Sequence, residues 1–399
     1  MAHANDEQAR LTKVFDAVFA RGDVDEAKKI HARLKALAGG SVEEQVVAAR
    51  VAVADGDPSK AMTMLERVIA EKPLAALAHA YLGAIKVGVG DVDGALPHLE
   101  HAIKGGAHVP AMDHALGRLA LVEGRLADAE KALVAAAKRM PESSTTQLYL
   151  GQARARLGKL DEAADALSAA LEVEPRLLSG VIDLVLVRLE QGRMQDALAV
   201  VERGIAALPD ESELLRLKVH VCMTMGERAR AEETLRAIPD DQQTGEDLGN
   251  LAMLLLGKRA FDEAKTIASR AVARDPSFWW PEHLHALALE GTNAKKRDVV
   301  AAYERAIQKG DPRGEAGTRL GYVLLSGDDA DPKRAVSVLD AALERSGFAP
   351  GTALNLALAC FKAGDTARAR SLAADVAESG GAAPSEREQA KKLLGMLAN

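Results

Sequence analysis

Apolar and small residues recur along this chain at helical spacing, in runs separated by short polar breaks. In "TTQLYLGQARARLG", residues 145–158, Leu148, Leu150, Gly151 and Ala155 mark one face of a helix. Gly158 offers the left-handed conformation in which such a helix ends. "DEAADALSAALEV", residues 161–173, opens with acids, which the positive end of a helix dipole favours. Its Ala163, Leu167, Ala170 and Leu171 line one face. Pro175 cannot extend that second helix. The pattern predicts a helix, a tight turn and an antiparallel helix.

The same pattern returns at a fixed interval. Gly22, Gly56, Gly90, Gly124, Gly158, Gly192 and Gly226 stand 34 residues apart. Five residues beyond each is an alanine: Ala27, Ala61, Ala95, Ala129, Ala163, Ala197 and Ala231. The alanine column continues, with small drifts, at Ala264, Ala335 and Ala369. Pro73, Pro141, Pro175 and Pro209 keep the same step or a multiple of it. Such self-similarity predicts an array in which each unit packs on its neighbours. Gly83, Gly117 and Gly151 fall midway along first helices, where glycine costs about 1 kcal/mol relative to alanine. Their recurrence at one position predicts closely approaching helix axes.

The 34-residue period, the central alanine, the closing proline and the pairs Leu82-Gly83, Leu116-Gly117, Leu150-Gly151 and Leu320-Gly321 together resemble the tetratricopeptide repeat. Leu99, Leu133, Leu167 and Tyr303 occupy the large-residue slot of the second helix. The resemblance implies an all-α, right-handed superhelical solenoid of about eleven helix-turn-helix units. The units begin near residues 8, 42, 76, 110, 144, 178, 212, 245, 280, 314 and 350, and the array spans 8–384. Residues 1–7 read as a disordered lead and 385–399 as a C-terminal capping helix. In that helix Ser385 and Glu388 form a capping-box pattern, and Leu393, Leu394 and Leu397 face inward. Three places depart from the pattern. The unit "WWPEHLHALALEGTNAKKRD" has an early Gly291 and puts Val299 in the alanine column, "SGDDADPKRA" is an insertion, and "IPDDQQTGED" at 238–247 predicts a kink.

Composition fits a repeat array. Hydrophobic residues reach 48%, while aromatics are 3%, so aliphatic and small side chains must do the packing. A net charge of −7 with dispersed acids gives no basic stripe for nucleic acid or an anionic membrane. The opening "MAHANDEQARLTKV" has no apolar core, so no secretory leader is expected there. No run is long and apolar enough for a membrane span. Cys222 and Cys360 stand four residues before Gly226 and Gly364, equivalent slots that predict small core residues rather than a disulfide. The expected compartment is the cytoplasm, and the alanine-rich, cysteine-poor style points to a bacterial source.

Candidate chemistry resolves mostly into repeat structure. "GVGDVDG", Gly88–Gly94, lacks the preceding strand of a phosphate loop, and Gly90 is the turn glycine. His98, His101, His108 and His114 cluster in sequence but bring no cysteine or ordered carboxylates for a metal. "DDADP", 328–332, lacks the glycine and distant glutamate of a calcium loop. Trp279 and Trp280 read either as packing against the preceding unit or as a partner anchor. No nucleophile elbow, HExxH or P-loop occurs, so neither catalysis nor a cofactor or metal is expected.

The resemblance implies a protein–protein interaction scaffold whose first helices line a concave face. Inward positions along the middle units are Tyr81, Arg118, Leu121, Tyr149, Ile182, Leu186, Leu217 and Met253, an apolar stripe predicted to bind a protein or peptide partner. Arg50, Arg118, Arg156 and Arg216 stand near it. The alternative is a regulator responsive to a signal peptide or small molecule. The carboxylate clamp of cochaperone repeats is absent, since the matching positions hold Ala80, Ala84, His114, Arg118, Leu148 and Gln152.

Overall fold

A computed structural model describes residues 2–20 and 23–398 of the chain. Among the described residues every regular element is an α-helix, 23 in all, and none is a strand. The protein is an all-α repeat solenoid that divides into two compact units, Met1–Met225 and Gly226–Asn399.

The first unit holds α1 (Ala2–Ala20), α2 (Val24–Ala38), α3 (Val42–Ala54), α4 (Pro58–Glu71), α5 (Ala76–Gly88), α6 (Val92–Lys104) and α7 (Pro110–Val122). It continues with α8 (Leu126–Arg139), α9 (Ser144–Arg156), α10 (Leu160–Val173), α11 (Leu178–Glu190), α12 (Met194–Ala207) and α13 (Ser212–Met225). The second unit holds α14 (Arg228–Ala237), α15 (Gly245–Gly257), α16 (Phe261–Arg274), α17 (Trp279–Gly291) and α18 (Lys296–Gln308). Then come α19 (Glu315–Leu324), α20 (Pro332–Ser346), α21 (Pro350–Ala363), α22 (Thr366–Glu378) and α23 (Pro384–Ala398).

The turn glycines behave as their column predicts. Gly56, Gly90, Gly124, Gly158, Gly192 and Gly226 all have positive φ, between 72° and 87°; Gly22 lies outside the described residues. Where the glycine column stops, the turn does not: Arg259 (φ 61°) and Asn293 (φ 52°) adopt the same left-handed geometry. Gly291, which the sequence suggested for the turn, instead ends α17 beneath the Phe261 ring.

The alanine column is core. Ala61, Ala95, Ala129, Ala163, Ala197, Ala231, Ala264, Ala335 and Ala369 are completely enclosed. The mid-helix glycines are explained by their neighbours. A Cβ on Gly151 would stand 2.5 Å from Leu167 Cγ and 3.2 Å from the Ala163 carbonyl oxygen, and one on Gly83 would stand 2.8 Å from Leu99 Cγ. Gly117 and Gly321 meet Leu133 and Leu339 in the same way. Each glycine is the socket for the large residue of its own hairpin. Cys222 and Cys360 are both fully buried, as their equivalent slots predict.

Both ends differ from expectation. Helix α1 starts at Ala2, so the lead expected to be disordered is helical from its second residue. At the other end the Ser385–Glu388 box does not form. Helix α23 starts at Pro384, and Glu386 Oε2 instead accepts from the Ala383 N–H at 2.7 Å. Leu393 and Leu397 are buried, and α23 packs on α21 and α22. Near the expected kink, α14 stops at Ala237. Gln243 Nε2 donates to the Ile238 carbonyl at 3.0 Å, and Thr244 and Asp247 form a reciprocal capping box for α15.

Candidate functional site

In the first unit successive first helices touch directly: α5 with α7, α7 with α9, α9 with α11, and α11 with α13. Side chains three and four apart on each helix share a face, so these helices pool their inward positions. The result is two adjoining grooves.

One groove, of about 540 Å3, lies between α7, α9 and α11. It gathers four of the stripe residues, Arg118, Leu121, Tyr149 and Leu186. Leu121 forms part of its floor and is 7% exposed, more enclosed than expected of an anchor. Leu186 is 47% exposed and its neighbour Val122 is 80% exposed. Arg118 places its guanidinium 4.9 Å from the Tyr149 ring centroid and, among the described residues, has no carboxylate within salt-bridge distance. Arg156 donates to the Leu121 carbonyl at 2.8 Å. Across the groove stand Asp183 and Glu190. Burial holds the Asp183 carboxyl above its ordinary range, against the pull of Gln152, whose amide donates to it at 2.7 Å.

Tyr81 lies elsewhere. It lines a second groove of about 680 Å3, with residues of α1, α3, α5, α7 and α9. Arg50 organises this one. Its guanidinium sits 4.7 Å from the Phe15 and Phe19 centroids and 4.8 Å from Tyr81, and it pairs with Asp16 at 2.5 Å. Tyr81 is 8% exposed, and burial pushes its phenol up. Ile182 on α11 and Leu217 on α13 are half-buried and line neither groove, as is Arg216. Met253 is half-buried on α15, in the second unit.

His114 joins α7 to α9. Thr146 donates its hydroxyl proton to Ser143 Oγ, so His114 presents Nδ1–H to Thr146 Oγ1 at 3.0 Å. Burial first, and Arg118 second, push the imidazole pKa down to about 4. Thr146 is fully buried, and the contact ties α7 to α9.

The remaining sequence candidates disperse. His98 and His101 meet His79, which sequence reasoning passed over, because it comes from the preceding helix. His79 Nδ1 is 2.9 Å from His98 Nδ1, and its ring stacks on His101 at 4.9 Å. Among the described residues no three His, Cys, Asp or Glu side chains are arranged to hold a metal. In "GVGDVDG", Asp91 Oδ1 accepts from the Gly94 N–H at 3.0 Å and caps α6. Trp280 packs on Gly249 of the preceding hairpin, which supports packing over an exposed anchor. No described helix is long and apolar enough to cross a membrane.

Several solved structures are similar. The tetratricopeptide repeat protein from Parabacteroides merdae ATCC 43184 is 19% identical, covering 61% of this chain and 95% of that one, with a TM-score of 0.40. Yeast Tom70 is 14% identical over 99% of this chain and 96% of that one, with a TM-score of 0.41. The APC/C hetero-tetramer Cut9–Hcn1 gives 11% identity over 98% and 96%, with a TM-score of 0.46. At these values the likeness carries no inference about partner or activity. No curated protein sequence matches the chain. Two family models do, both described as tetratricopeptide repeat. One covers residues 46–110, 114–176 and 327–386, and the other 188–251. With the glycine sockets and helical hairpins already described, these matches place the chain in the tetratricopeptide repeat family.

Proposed function

We propose that this protein is a non-catalytic scaffold that receives a segment of a partner protein in the groove between α7, α9 and α11. The tetratricopeptide fold is a general protein–protein interaction scaffold. The observation that carries the reading is the company of Val122, Leu186 and Arg118 in one groove. Val122 and Leu186 are exposed apolar side chains, and Arg118 is a cation with no salt-bridge partner among the described residues. Apolar surface rimmed by charge favours an interaction partner over water. The partner's segment would seat apolar side chains over Leu121, Tyr149 and Leu186 and turn an acidic group toward Arg118. Tyr81, Ile182 and Leu217, which lie outside this groove, are further proposed contact positions of the first unit. Residues 8–384 act as the interaction array and 385–399 close its last core, and the protein works in the cytoplasm.

The test is site-specific photocrosslinking. A photoreactive residue at position 122 or 186 should trap a defined adduct, and Tyr149→Ala should abolish it. The same probe at Ile103, exposed on the second helix α6, should not. Equal adducts from position 103, or none from 122 and 186, would refute the groove as the site.

A further inference from the structure

The repeat register sorts the charges of the groove between α7, α9 and α11. Positions 34 residues apart occupy equivalent places on successive first helices, so Arg118 aligns with Gln152 and Leu186, and Val122 with Arg156 and Glu190. Within the lining, guanidinium groups come only from α7 and α9, and carboxylates, those of Asp183 and Glu190, only from α11. Side-chain reach widens the separation. Arg156 leaves its own helix to donate to the Leu121 carbonyl of α7 at 2.8 Å. Gln152 turns the other way and donates to Asp183 of α11 at 2.7 Å. Both cations therefore gather at the α7 rim and both acids at the α11 rim, with Leu121, Tyr149 and Leu186 between them.

Neither rim is neutralised from within the chain. Among the described residues Arg118 and Arg156 have no carboxylate within salt-bridge distance, and Asp183 and Glu190 have no cation. Asp183 is half-buried, so burial opposes its charge while only an amide answers it. The rims do not compensate one another. Packed helix axes lie about 8–10 Å apart, so α7 and α11, two steps apart, are separated by about 16–20 Å. That is about two Debye lengths at physiological ionic strength, and the attraction across the groove is screened.

These rims discriminate among guests. A segment of one charge sign gains at one rim and is repelled at the other, and an uncharged one leaves both unmatched. A dipolar segment matches both, with apolar side chains over Leu121, Tyr149 and Leu186. At about 3.3 Å per extended residue, about five or six residues bridge the rims. Granted that this groove is the partner's seat, we propose that the partner segment is an extended stretch of opposite charge at its two ends, acid over Arg118 and Arg156 and base over Asp183 and Glu190, and that this polarity fixes its direction across the helices.

The test uses the full chain and an end-blocked heptapeptide with glutamate at one end, lysine at the other and mainly leucine between. A benzophenone residue stands beside the glutamate in one version and beside the lysine in the other. Mass spectrometry of the adducts should place the glutamate-side label on α7 or the end of α9, and the lysine-side label on α11. Surface ion pairs contribute modestly, so a peptide of the same composition with glutamate and lysine adjacent at one end should bind about threefold more weakly. In Arg118→Glu with Glu190→Lys each rim carries both signs, and the sidedness should vanish while the circular-dichroism spectrum stays unchanged. Groove adducts with either label on either helix, or equal affinity for the two peptides, would overturn the polarity and leave the groove as the seat. No groove adduct from either labelled peptide would overturn both.

Discussion

Replacing Gly151 by alanine should destabilise the protein, although alanine is the better helix former. The added Cβ would stand 2.5 Å from Leu167 Cγ, 2.8 Å from Leu167 Cδ2 and 3.2 Å from the Ala163 carbonyl oxygen. Carbon atoms in good contact lie about 3.5–4.0 Å apart, so Leu167 must retreat by about 1 Å. It has little room, being fully buried. Overpacking of this kind costs about 1–3 kcal/mol. The helix-propensity gain returns about 1 kcal/mol. The net loss is about 1 kcal/mol, or about 2–4 °C in Tm for a unit of this size. Gly88→Ala is the control, because a Cβ there meets nothing within 4 Å and only the propensity gain applies. Leu167→Ala alone should cost about 2–5 kcal/mol. In the Gly151→Ala background it should cost less, because the new methyl occupies part of the vacated space, giving a coupling of about 1 kcal/mol. Urea unfolding followed by circular dichroism at 222 nm measures all four. If Gly151→Ala stabilises as much as Gly88→Ala does, or if the cycle is strictly additive, the glycine is not a socket for Leu167.

Arg259 holds a left-handed conformation that costs a side-chain-bearing residue about 1–2 kcal/mol, while glycine's extra chain entropy costs about 0.5–1. Arg259→Gly should therefore stabilise by about 0.5–1 kcal/mol, and a lower urea midpoint would contradict that origin. His114 titrates near 4 in the folded chain and near 6.5 unfolded, so its contribution is complete above about pH 6.5 and falls as the pH drops toward 4. Between pH 7 and 5 the loss is about 2 kcal/mol, which should appear as the difference between the unfolding curves of wild type and His114→Gln, and a difference independent of pH would refute it.

Much of the fold was legible because a repeat writes each packing rule many times. The Leu-Gly pair is a ridge and its socket, and the alanine column marks where two helices cross. Both follow from close approach, which any sequence must satisfy with small residues. The ends obey other rules. Ala2–Ala20 is helical without a strong early apolar face, since its alanines, Gln8 and Arg10 are good helix formers and no glycine or proline interrupts them. At α23 the sequence signal was a hydroxyl cap at Ser385. Proline takes the first helical position at 384, however, and displaces the start, leaving Glu386 to reach back alone.

The sites were harder to read, because an array's grooves depend on which charges are already spoken for. Many polar contacts join residues about one repeat apart: Arg50 with Asp16, Gln152 with Asp183, Lys159 with Glu130, Arg319 with Glu290. By that register Arg313 should find Glu282, and Arg345 should find Asp311. Neither does. Glu282, 2% exposed, is held by Arg305 at 3.1 Å and Lys309 at 2.8 Å. Burial opposes its charge, but these two cations outweigh burial and keep its carboxyl below the ordinary range. Asp311 is spent on the backbone of α19. The sequence contains both acids and the right spacing, so counting charges predicts neutral pairs. Only the geometry shows the acids diverted to nearer donors.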